Sequence, residues 1–215
     1  MLDGPRLAPA SGRPAKGLVV FVHGYGADGN DLIELGRHFA RDMPDIAFVA
    51  PHAPEPCAMS PGGRQWFPLT MRDPAEVPRG VARAAPALDA FLSQELGRMR
   101  LPASALALVG FSQGTMMALD VGLSRRPAIA AIVGFSGLLA RPDTLAAAPR
   151  PSPPVVLVHG DQDDVLPVEY LPMACEALAA AEIPVEWHIA PGLSHGIDES
   201  GLAIAASVLR RALPH

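Results

Sequence analysis

Leu106-Ala107-Leu108-Val109-Gly110-Phe111-Ser112-Gln113-Gly114-Thr115-Met116-Met117-Ala118-Leu119 decides how this chain is read. A short, continuously apolar run meets a serine set between glycines, and a second apolar run opens at once behind it. The first run reads as a buried strand and the second as a helix. Between them stands G-x-S-x-G, the pattern of a sharp strand-to-helix turn that lifts a serine hydroxyl clear of a sheet. Such a serine carries backbone strain of about 1–3 kcal/mol. The pattern recurs at Gly192-Leu193-Ser194-His195-Gly196, but Ser194 follows Pro191 in a loop and, beyond its neighbour His195, has only His215 downstream. Ser112 is therefore the nucleophile candidate. The plainer reading, a helix-capping serine, would require no acid or histidine farther along.

The same alternation extends in both directions. Strands are expected at 18–23, 46–50, 106–110, 129–135, 155–159 and 185–189. Helices are expected at 28–43, 81–99, 115–124, 168–181 and 197–213, with Pro86 kinking or restarting the second. Apolar strands alternating with helices imply an α/β fold, a mostly parallel sheet covered on both faces. No repeat or linker interrupts the rhythm, so residues 1–215 are read as one domain. In such sheets the functional crevice lies beyond the carboxyl ends of the strands, where every motif falls.

An acid follows the serine in His159-Gly160-Asp161-Gln162-Asp163-Asp164, directly after a strand. Aspartates so crowded would ordinarily mark a solvated turn. A nucleophile, acid, histidine order asks for a carboxylate here, and spacing leaves Asp161, Asp163 and Asp164 equivalent. His38 falls in a helix and His188 in a strand. His23 and His159 end strands before glycine, where packing or main-chain bonding is expected. His52 precedes the serine, and His215 is terminal. His195, in the loop between the last strand and last helix, is the base candidate. An imidazole base implies activity that rises with pH around about 6.5.

Gly24-Tyr25-Gly26-Ala27-Asp28-Gly29 satisfies G-x-G-x-x-G after a strand and raises a rival: a nicotinamide-dinucleotide oxidoreductase. That fold wants a carboxylate about 20 positions on to hold the ribose, where this chain has Val49-Ala50-Pro51-His52. The other use of such a turn is to supply a main-chain N–H to an oxyanion hole.

Together, His23 to Asp31, Gly110 to Gly114, His159 to Val165 and Ser194-His195-Gly196 resemble the phospholipase/carboxylesterase family, which includes bacterial carboxylesterases and acyl-protein thioesterases. The resemblance spans Leu18 to the last helix. It implies an α/β-hydrolase fold without a separate cap domain, no cofactor, and hydrolysis of an ester or thioester through an acyl-enzyme. Ser112 would be the nucleophile, His195 the base and Asp163 the acid. The oxyanion N–H groups would belong to Tyr25 and Gln113. Tyr25 departs from the family's more usual leucine, and its ring would narrow an acyl pocket. Gly62 to Phe67 resembles the segment ending in a Trp–aromatic pair near the substrate cleft, which makes Trp66 and Phe67 the substrate-binding candidates. With Met59, Leu69 and Met71 they would give the irregular stretch from Pro51 to Pro78 an apolar lining for short to medium acyl groups. Family resemblance also implies a possible homodimer.

Composition narrows the alternatives. The chain has 215 residues, 49% of them hydrophobic, and a formal net charge of −5. With 16 Arg, one Lys and no basic run, it is not expected to bind nucleic acid. No apolar stretch reaches the roughly 18–20 residues that span a bilayer, and the amino terminus lacks the basic-then-apolar order of a signal peptide. Cys57 and Cys175 are too few and too far apart for a disulfide framework, so both are read as free thiols in a cytoplasmic protein. The histidines show no H-E-x-x-H or comparable spacing, and no metal is expected.

Overall fold

Why the strands are buried on both sides is visible in β2 (Gly17–Val22), whose six residues are all buried. Leu18, Val20 and Val22 enter one apolar cluster, while Val19 and Phe21 enter a second on the opposite face. That is the two-residue alternation of a pleated strand with core on either side. The computed structural model describes residues 2–70, 72–148 and 150–214. Met1 at the amino terminus, where no signal peptide was expected, Met71 of the expected apolar lining, Pro149 and the terminal His215 lie outside the described residues.

Before β2 comes β1 (Arg6–Leu7), and after it α1 (Gly29–Phe39), β3 (Ile46–Val49) and a small ribbon of β4 (Glu55–Pro56) and β5 (Arg64–Gln65). Then follow α2 (Glu76–Met99), β6 (Leu106–Phe111), α3 (Gln113–Ser124), β7 (Ala131–Phe135) and β8 (Val155–Gly160). The chain closes with α4 (Tyr170–Ala180), β9 (Val185–Ala190) and α5 (Glu199–Ala212). One seven-stranded sheet runs β1-β3-β2-β6-β7-β8-β9. Only β1 is antiparallel; the other pairings are parallel. Helices α2, α3 and α4 share the Leu18 cluster, and α1 and α5 share the Phe21 cluster.

The six expected strands and five expected helices are all present, with ends shifted by a few residues. Two expectations are corrected. Helix α2 starts at Glu76 and runs unbroken past Pro86. Pro86 lies on the exposed side, so the carbonyl it leaves unpaired faces water. The stretch from Pro51 to Pro78 is not wholly irregular, because it holds the β4–β5 ribbon and the first turn of α2. Helix α1 begins with a reciprocal cap: Asn30 N–H donates to Asp28 Oδ1 at 2.7 Å, and Asp28 N–H to Asp31 Oδ2 at 2.8 Å.

Strand β6 lies at the sheet's centre and ends at the serine turn. Its Leu108 is 0% exposed, so Leu108→Ala should lower the unfolding free energy by about 2–5 kcal/mol. Urea titration should show the loss as a lower midpoint with an unchanged slope.

Candidate active site

Ser112 stands between β6 and α3 with φ 54° and ψ −119°, outside the regions most side chains adopt. Its neighbours explain how that conformation is held. A Cβ added to Gly114 would lie 1.8 Å from the Val22 carbonyl oxygen, and one added to Gly110 would lie 2.6 Å from the Gly114 oxygen. Strand and helix therefore approach closely enough to force the turn, and only glycine permits it. Ser112 N–H donates to the Phe135 carbonyl at 2.9 Å, and the Ser112 carbonyl accepts from Thr115 at 2.9 Å.

Beyond β8, the three aspartates part company. Asp161 is exposed, and its Oδ1 accepts from Gly192 N–H at 2.7 Å. Asp164 is exposed as well. Asp163 alone is buried. Its Oδ1 accepts from the N–H groups of Val165 at 3.0 Å and Leu166 at 2.8 Å. Its Oδ2 lies 2.8 Å from His195 Nδ1 and 3.2 Å from His159 Nε2. Burial pushes the Asp163 carboxyl up, but the Leu166 N–H, the His195 ring and the Val165 N–H together hold it below the ordinary carboxylate value.

The carboxylate can only accept, so His195 Nδ1 carries the proton and donates, which leaves Nε2 as a lone-pair acceptor. The imidazole packs against Phe111, next to Ser112, with ring centroids 5.0 Å apart. Among the described residues no hydrogen bond joins Ser112 Oγ to His195 Nε2. Hydrogen bonds at catalytic sites are often long without substrate and tighten when it binds. Gly160 seats the loop bearing His195, since a Cβ there would lie 2.1 Å from the Leu193 carbonyl oxygen.

The turn after β2 is held by a second histidine. Ala53 N–H donates to His23 Nε2 at 2.9 Å, so the ring proton sits on Nδ1 and is donated to the Gly24 carbonyl at 2.8 Å. Burial pushes the His23 pKa down and keeps the ring neutral. In a trans peptide C=O and N–H point in opposite directions. Gripping the Gly24 oxygen thus aims the Tyr25 N–H the other way. Among the described residues, no hydrogen bond occupies the main-chain N–H of Tyr25 or of Gln113. Part of the remaining backbone of the glycine turn is taken up by the β4–β5 ribbon: Gly26 N–H donates to Arg64 O at 2.9 Å and Arg64 N–H to Ala27 O at 2.8 Å. A turn so occupied makes a poor phosphate cradle.

Trp66 and Phe67 are not cleft walls. They are 1% and 0% exposed and belong to the core cluster. A Cβ on Gly80 of α2 would lie 2.3 Å from the Phe67 ring, which shows how tightly the ring is packed. Met59 of the same stretch is instead 81% exposed.

The phospholipase/carboxylesterase family model matches residues 8–213. The chain belongs to this family. Esterase YpfH of Escherichia coli K12 is 30% identical over 204 residues, covering 94% of this chain and 85% of its own. Acyl-protein thioesterase 1 of Gibberella zeae is 28% identical, covering 91% of this chain and 90% of its own. The crystal structure of esterase PE8 matches with a TM-score of 0.93 and 44% identity over 99% of each chain. Membership in the phospholipase/carboxylesterase family makes this an α/β-hydrolase-fold protein and a hydrolase.

In this family member His23 and His159 play the main-chain roles expected of strand-ending histidines. His159 Nε2–H donates to the Leu166 carbonyl at 2.8 Å. Its approach to Asp163 was not expected; the signal was its place four residues before the acid. Tyr25 is half-buried, and the neighbouring Cys57 together with burial pushes its phenol above the ordinary value. Among the described residues no His, Cys, Asp or Glu cluster could hold a metal ion, and no helix is long and apolar enough to cross a membrane.

The lowered Asp163 pKa carries a sign that can be checked. Its ionised form stabilises the fold above the ordinary carboxylate value of 3.8, and that contribution is lost as pH falls through the still lower folded value. Asp163→Asn should therefore be less stable than the parent at pH 7. The gap should close when urea unfolding is repeated below pH ~3.8.

Proposed function

We propose that this protein hydrolyses carboxylic esters of short to medium acyl chains through an acyl-enzyme on Ser112. The observation that carries the reading is the 2.8 Å bond between Asp163 Oδ2 and His195 Nδ1. It sets the imidazole tautomer and leaves Nε2 free, which supports His195 as the base that activates Ser112. His195 Nε2 takes the Ser112 proton as Oγ attacks the acyl carbon. The resulting oxyanion is held by the Tyr25 and Gln113 N–H groups, each contributing about 2.7–4 kcal/mol to the transition state. Collapse breaks the ester C–O bond, and the imidazolium returns its proton to the leaving alcohol. A water molecule then attacks the acyl-enzyme, giving its proton to His195, which passes it back to Ser112 Oγ as the acid departs. Asp163 stays ionised throughout.

The half-buried Tyr25 ring, beside the oxyanion turn, favours short to medium acyl groups over long ones. Thioesters would pass through the same carbonyl chemistry with a thiol leaving. The similarity to an acyl-protein thioesterase keeps that class as the second reading.

Ser112→Ala should fold normally by circular dichroism and lose kcat by about 10³–10⁶-fold together with fluorophosphonate labelling. Turnover retained in that variant would move the nucleophile elsewhere. On a series of p-nitrophenyl esters graded by chain length, Tyr25→Leu should shift the optimum toward longer acyl groups. An unchanged profile would remove the ring from any role in selectivity.

A further inference from the structure

The two N–H groups assigned to the oxyanion come from separate parts of the chain, Tyr25 after β2 and Gln113 after β6. An oxyanion hole works only if its donors converge within about 2.7–3.1 Å of one point, so something must fix their mutual distance. Trp66 reaches both. Its main-chain N–H donates to Gln113 Oε1 at 2.9 Å, and its indole Nε1–H donates to the His23 carbonyl at 3.0 Å. Gln113 Nε2 donates to the Phe67 carbonyl at 2.9 Å, so the amide closes on the Trp66–Phe67 backbone from both of its ends. Only one orientation of the amide satisfies a donor at one end and an acceptor at the other. His23, Trp66 and Gln113 are 0%, 1% and 0% exposed, where hydrogen bonds are strong and loss of a partner is costly.

We propose that Trp66 is a positioning residue: with the Gln113 side chain, it is the strut that sets the spacing of the two oxyanion donors. The inference rests on the serine-hydrolase reading above. One end of the indole bears on the carbonyl two residues before Tyr25. The adjoining main chain bears on the residue whose own N–H is the second donor. A planar ring buried in the core has few ways to yield, so it transmits the position of one turn to the other. The donors stabilise a charge that exists only in the transition state, so loosening the strut acts on kcat and leaves ground-state binding nearly alone.

The test compares Trp66→Phe, which keeps an aromatic ring but removes the indole N–H, with Gln113→Met, which keeps length but removes the amide. Val81→Ala, a truncation in the same core cluster, is the control for lost packing alone. Sites are counted by endpoint fluorophosphonate titration, so that rates refer to folded, competent enzyme. Trp66→Phe and Gln113→Met should each lower kcat by about tenfold to hundredfold with KM within about threefold. Inhibition by an alkyl trifluoromethyl ketone, which places a tetrahedral oxyanion in the site, should weaken by the same factor as kcat. Val81→Ala should lower the melting temperature and leave kcat and that affinity unchanged. The proposal is overturned if either strut variant keeps kcat and ketone affinity within about twofold, or if Val81→Ala reproduces their kinetic losses. Retained turnover in Ser112→Ala would instead bring down the underlying reading. An inactive Ser112→Ala beside an unimpaired Trp66→Phe would bring down the strut alone.

Discussion

Everything at the site depends on how closely α3 is pressed against β2. Gly114 has the Val22 carbonyl where a side chain would begin, and that contact leaves Ser112 no ordinary backbone conformation. The strain is supported by the centre of the sheet, where β6 lies between β2 and β7 in continuous parallel register. Buried strands on either side make the turn rigid, and rigidity is what presents the hydroxyl and the next N–H along fixed directions.

The electrostatic counterpart is the buried carboxylate of Asp163. An isolated charge so placed would be neutralised by proton uptake. Two main-chain N–H groups on one oxygen and His195 at the other reverse that preference. His159 also binds the carbonyl of Leu166, whose own N–H binds Asp163. Acid, turn and histidine thus form a closed ring of mutual constraints, and the His195 tautomer follows from it without further adjustment.

The chain's order of apolar runs made the fold legible. Leu18 to Val22 and Leu106 to Val109 are too short for helices and too apolar for loops. Strand β1 escaped because Arg6-Leu7 has no period to detect; it is defined by pairing to Val49 and Phe48 and by the Arg6–Glu95 ion pair at 2.9 Å. Pro86 misled because a missing N–H matters little on a solvated helix face. Within the site, G-x-S-x-G and the order of the later motifs pointed to Ser112 and His195. Spacing could not choose among the aspartates; the resemblance named Asp163, and burial, which no local pattern carries, is what sets it apart in the fold. Trp66 and Phe67 were misread for the converse reason: aromatic residues in a loop signal burial, but not whether they meet substrate or core. The Gln113 amide was invisible in sequence because its partners lie 46 and 47 residues away.

The proposed nucleophile and base are unequally secured. Ser112 hangs on the sheet's middle, whereas His195 follows β9, the outermost strand, where Trp187 is 59% and Ile189 38% exposed. Its loop is moored by a few bonds, among them Gln162 N–H to Leu193 O at 3.0 Å and Gly192 N–H to Asp161. Border segments of this kind open at lower free energy than the central strands. Warming should therefore extinguish turnover, reversibly, before the tertiary structure melts, making the thermal ceiling of this catalyst a property of its rim.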